Sequence, residues 1–142
     1  MDTARAVENS MKFLAMEYIF AQTQPLLYEG VQTHVLNSQI LAARRVADIL
    51  RREQDYQGKP TQGRSIREAA ERERLHRELS PILEKEHDSV RWRDKLPQII
   101  GIIENAGRGE KPIGPIADDV RTFFNDMLHY ISLKRYQLET AS

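Results

Sequence analysis

Two Glu-x-x-His pairs are the residues whose types and spacing best suit chemistry: Glu73 with His76, and Glu84 with His87. Positions three apart share one face of a helix, so each pair could offer a carboxylate and an imidazole to a metal ion. With further glutamates such as Glu17 and Glu29 from other helices, two pairs would make a dinuclear carboxylate–histidine centre. The pairs stand eleven residues apart, which is about 16 Å along one continuous helix. They meet at one centre only if the chain turns back at Ser80-Pro81. Both also lie in densely charged surroundings, where solvated side chains at this spacing are common. Glu84 and His87 are the candidate metal ligands.

The remaining histidines point to structure. His34 near Glu29 could pair with a carboxylate from another helix, and His129 follows Asp126 at the same three-residue step. A single histidine at a helix interface reads as a hydrogen-bonded structural residue. No cysteine is present, which excludes disulfides, thiolate zinc sites, iron–sulfur clusters and cysteine nucleophiles. No glycine-rich phosphate loop, nucleophile elbow or Walker-type lysine occurs, and Gly107-Arg108-Gly109-Glu110 reads as a loop. Without a convergent catalytic set the expectation is a non-enzymatic protein with no cofactor.

Arg44, Arg45, Arg51 and Arg52 form two pairs seven residues apart, hence one basic stripe on a helix. The stripe could meet RNA or an acidic partner. No aromatic residues interleave to stack bases, and Asp48 and Glu53 stand close enough to neutralise it. The 21 Lys and Arg residues equal the 21 Asp and Glu residues, so the formal net charge is zero. That balance argues against a general nucleic-acid binder. It also leaves little repulsion between copies of the chain.

The elements that must position these groups are helices. Val7, Met11, Leu14, Tyr18 and Ala21 recur at steps of three and four over Thr3 to Gln22. Pro25 suits the first turn of a second, long helix reaching Tyr56. In it Leu36, Ile40, Ala43, Ala47 and Leu50 form a coiled-coil-like seam, with Val31, Val35, Ser38, Ala42, Val46 and Ile49 beside it. This central helix therefore faces two neighbours. Gly58 and Pro60 end it, and Ser65 with Glu68 has capping-box spacing. From Arg64 to Glu78 nine of fifteen residues are charged, so this arm is expected to be solvated. Ser80-Pro81 and Pro97 each kink or end a helix. Leu79, Leu83, Val90, Trp92, Leu96, Ile99 and Ile103 carry the apolar pattern past them. Pro115 opens a last helix, with Val120, Phe124, Met127, Ile131 and Leu138 facing one way.

At 142 residues the chain has the length of one domain, and residues 1–142 read as a single all-α bundle. It is expected to have four or five helices, a long central helix and a kinked third or fourth helix. The longest apolar run, Leu96 to Ile103, falls far short of the roughly 20 residues a membrane helix needs. No basic stretch followed by an apolar run is visible near Met1, so a cytoplasmic protein that does not insert into membranes is expected. The partner is expected to be another protein or a second copy of the chain. The expected interaction surface is Leu36, Ile40, Ala43, Ala47 and Leu50 with Trp92.

The stretch from Glu78-Leu79-Ser80-Pro81-Ile82-Leu83 to Ile103, a short loop, then Asp119-Val120-Arg121-Thr122-Phe123-Phe124-Asn125-Asp126-Met127-Leu128-His129 resembles the cytoplasmic helical region of CorA-type magnesium transporters. The resemblance covers about a third of the chain and implies a helix pair of that kind. The family's Gly-Met-Asn pore motif and its transmembrane helices have no counterpart here, so the resemblance implies no ion transport by this chain alone.

Overall fold

A computed structural model describes residues 3–27, 37–56, 66–110 and 115–140. Among the described residues the fold is all-α, with five helices: α1 (Thr3–Thr23), α2 (Asn37–Tyr56), α3 (Ile66–Leu83), α4 (Trp92–Ala106) and α5 (Pro115–Thr140). No helix among them is long and apolar enough to cross a membrane. Leu36, Glu29 and His34, the Gly58 stop and the Ser65 cap fall outside the described residues.

The α2 helix is central, packing on α4, α1 and α3. Its seam explains why. Ala43, Val46, Ala47 and Leu50 are buried at steps of three and four, and the small alanines let α4 come close. From α4 come Trp92, Leu96, Ile99, Ile100 and Ile103, and from α5 Val120, Phe123, Phe124, Met127 and Ile131. Phe20 of α1 meets Phe124 edge-on with centroids 4.8 Å apart, and Trp92 meets Phe123 at 5.4 Å. Burying each large apolar side chain contributes about 1.5–3 kcal/mol, so this mixed core is the main stabilising feature.

One expectation changes, and the choice left open at two prolines narrows. Pro25 does not open the long helix: it lies in a 3₁₀ turn, Gln24–Leu27, and the described part of α2 begins at Asn37. Leu26 and Leu27 anchor that turn in the core, and Arg121 donates to the Leu27 carbonyl. Pro81 and Pro97 do not end their helices. Both prolines lie on exposed positions, where water can satisfy the carbonyl each leaves without a donor. The reversal falls instead between them, in a two-residue hairpin of β1 (Glu86–His87) and β2 (Val90–Arg91). Asp88 and Ser89 hold φ values of 53° and 66°, the left-handed pair that a tight hairpin turn requires.

Candidate functional site

Three helices converge on one buried carboxylate. Glu53, on the last turn of α2, has a side chain with 0 % exposure. His76 Nδ1 of α3 lies 2.6 Å from Glu53 Oε1, and Arg93 Nη1 of α4 donates to the same oxygen at 3.1 Å. Arg93 also bridges outward, from its Nε to Glu84, which Arg91 Nη1 holds at 2.9 Å. The Arg93 hydrogen bond, more than any other contact, holds the Glu84 carboxyl below its ordinary range. The Tyr56 ring covers the His76 imidazole with centroids 4.8 Å apart. A buried carboxylate must be paired to be tolerated, and here the pairing ties together α2, α3 and α4.

The order Glu53, His76, Ser80 resembles a nucleophile–base–orienter relay, since Ser80 Oγ lies 3.4 Å from His76 Nε2. The hydroxyl does not serve such a relay. Ser80 Oγ donates at 2.6 Å to the carbonyl of His76 in its own helix, and a serine committed to that bond is not poised for attack. The network is a cross-brace between helices.

A second constellation surrounds the hairpin. The His87 ring lies flat against Trp92, centroids 4.8 Å apart and planes at 10°. The indole Nε1 of Trp92 donates to Asp126 Oδ2 at 3.0 Å, and Lys85 Nζ lies 3.4 Å from the other Asp126 oxygen. His87 Nε2 faces Asp88 and Asp119. Glu84 and His87, adjacent on the helix that the sequence suggested, are therefore divided: Glu84 belongs to the arginines and His87 to Asp88 and Asp119. The hairpin separates them. The other pair is divided too, because His76 turns to Glu53 while Glu73 is exposed.

The expected interaction surface is largely interior. Ala43, Ala47, Leu50 and Trp92 are buried within the chain and Ile40 is half-buried, because α4 and α1 already cover the seam of α2. The basic stripe is mostly engaged. Arg44 Nε donates to the Gly107 carbonyl at 3.0 Å, where a cation suits the C-terminus of α4. Arg51 reaches Glu104 at 2.5 Å and Arg52 reaches Asp48 at 2.9 Å. Arg45 is exposed.

A cleft of about 800 Å³ opens between α1, α2 and α3, with Met16, Ile19, Ile49 and Leu75 among its apolar lining. Glu78 stands at its edge. Burial raises the Glu78 carboxyl above its ordinary range, against the pull of Lys12, Arg74 and Lys134. Burial, and then the nearby Glu78 charge, raises the Tyr130 hydroxyl in turn.

Sequence reasoning gave Arg93 and Asp88 no role, set Glu53 against the basic stripe rather than against His76 and Arg93, and did not bring Asp119 to His87. For two of them the signal was available. Glu53 extends the Val46–Leu50 step by three, so a carboxylate occupies a position of the buried seam. Asp119, Phe123 and Asp126 likewise fall on one face of α5. Compared with protein-family models, curated proteins and solved structures, the chain matches none.

Proposed function

We propose that this chain is a non-enzymatic helical protein that works by association, and that a second copy of itself docks on the outward face of α1. The observation that carries the reading is that α1 is apolar on two opposite sides. Phe13, Met16 and Phe20 enter the core with 1–5 % exposure, whereas Met11, Leu14 and Tyr18 on the far side are 65 %, 37 % and 67 % exposed. A helix that serves only its own core needs one apolar stripe.

The outward stripe continues at both ends. Leu41 of α2 lies beside Tyr18 across a shallow depression. At the other end Met11 and Leu14 border an apolar pocket of about 300 Å³ shared with Ile131 and Leu138 of α5. The row is also self-complementary. In an antiparallel pair whose two-fold axis passes between Leu14 and Ala15, each Met11 falls beside Tyr18 of the second copy and the two Leu14 side chains meet. Closed symmetric pairs of this kind are the commonest assembly of soluble chains. Zero net charge opposes nothing.

Sedimentation equilibrium of the full chain tests the reading, with Leu14→Glu as the variant. The expected result is a dimer whose dissociation constant rises at least about tenfold in Leu14→Glu, where like charges meet at the axis. A wild-type chain that stays monomeric at the highest attainable concentration overturns self-association. A dimer untouched by Leu14→Glu overturns the choice of face.

A further inference from the structure

The hairpin and the first turns of α5 bring three potential ligands together. The donor atoms of His87, Asp88 and Asp119 all lie within 4.8 Å of one another. His87 Nε2 is 3.4 Å from Asp88 Oδ2 and 3.5 Å from Asp119 Oδ1. These separations exceed the roughly 2.7–2.9 Å of a charge-assisted N–H···O bond, so the three groups converge without closing on one another. The two His87–carboxylate separations match the edge of a coordination polyhedron, since two ligands each about 2.1 Å from a zinc ion, at the tetrahedral angle, stand about 3.4 Å apart. The exposed Asp88 would swing inward to bring the third edge, now within 4.8 Å, to the same length.

The surroundings hold the donors in this arrangement. The His87 ring is fixed by its stack on Trp92, itself fully buried and tied to Asp126. The second oxygen of Asp119 lies 3.6 Å from Lys95 Nζ, and Lys95 sits over the Trp92 ring at 5.5 Å. The lysine thus takes Oδ2 and leaves Oδ1 to face the imidazole, as an outer partner orients a ligating carboxylate. Asp88 is placed by the hairpin pairing of His87 with Val90. Its side chain is 77 % exposed, so the site opens to solvent on that side.

We infer that His87, Asp88 and Asp119 form a binding site for a first-row divalent cation, zinc being the best match to one nitrogen and two oxygen donors. Two carboxylates balance the charge of the dication while the imidazole binds neutral. Three protein ligands leave a fourth position for water. The site shares no residue with the α1 face, so the two proposals stand or fall separately.

The test is calorimetric titration of the untagged full chain with zinc chloride, beside Asp119→Asn, His87→Gln and, as a control elsewhere on α5, His129→Gln. One equivalent of zinc is expected to bind, at least tenfold more weakly in Asp119→Asn and His87→Gln and unchanged in His129→Gln. Trp92 is the sole tryptophan and stacks on His87, so zinc should change its fluorescence in the wild type and in His129→Gln. Near-ultraviolet circular dichroism of Trp92 establishes that each variant keeps the hairpin packed. Where His87→Gln loosens it, Asp119→Asn carries the comparison. Absence of saturable binding, or binding that survives Asp119→Asn, overturns the site.

Discussion

Replacing Arg93 by methionine should be among the most damaging single changes a charged residue of this protein can suffer. The substitution keeps much of the aliphatic stem but removes the guanidinium that joins buried Glu53 to Glu84. Glu53 would then keep only His76, with its carboxylate still sealed at 0 % exposure. Taking one partner from a buried ion pair costs about 3–5 kcal/mol. Arg93 is itself 19 % exposed, which places the cost near the lower end, about 3 kcal/mol. Against a total stability of about 5–15 kcal/mol this is a large fraction, and for a chain of this length it lowers Tm by roughly 6–12 °C. Adding Glu53→Gln should recover most of the loss, because the stranded charge is then gone. Arg52→Ala, which breaks the exposed pair with Asp48, should cost about 0.5 kcal/mol or less. Urea unfolding at neutral pH, followed by Trp92 fluorescence, measures the wild type, Arg93→Met, Glu53→Gln, the double variant and Arg52→Ala. A cost below about 1 kcal/mol for Arg93→Met, or strict additivity in the double variant, would refute the view of Glu53 as a cross-brace.

The fold class was legible because helical periodicity is a local signal. The seam of α2 and the stripe of α5 announce themselves within a few turns, and the observed helices follow them. The hairpin was not legible for the converse reason. Two-residue strands are too short to show alternation, and Asp88-Ser89 contains no glycine to advertise left-handed backbone. The prolines left kink or end open because their effect depends on which side of a helix faces water, and that is set by the fold. The Glu53 brace joins residues 23 and 40 positions apart, and nothing local pairs them. A carboxylate at a seam position signals burial, but its partners depend on how α3 and α4 are brought against α2, and that depends on the hairpin. The same dependence separated His87 from Glu84 and gave it Asp119. The seam offered as an interaction surface illustrates a further limit: an apolar stripe states that something covers it, not whether the cover is intramolecular.

Two further outcomes follow from the same geometry. Ser89 holds φ 66°, so Ser89→Gly should relieve left-handed strain and stabilise the protein by about 0.5 kcal/mol net of glycine's extra freedom when unfolded. Thermal unfolding reads this, and a lowered Tm would contradict the turn assignment. Glu78→Gln should change how stability depends on pH. Burial raises the folded-state pKa of Glu78 above its ordinary value near 4.5, so the protein binds the Glu78 proton more tightly when folded. Stability from this group is fully present below the unfolded pKa and is lost as pH rises through the folded one. Glutamine cannot ionise, so the variant should exceed the wild type at neutral pH, by less than about 1 kcal/mol because solvent screens a half-exposed group. The gap should close as pH falls through the carboxylate range. Urea unfolding of both proteins across that range measures it. A gap that is constant with pH would mean that the cations around Glu78 cancel its burial, and a wild type more stable at neutral pH that they outweigh it.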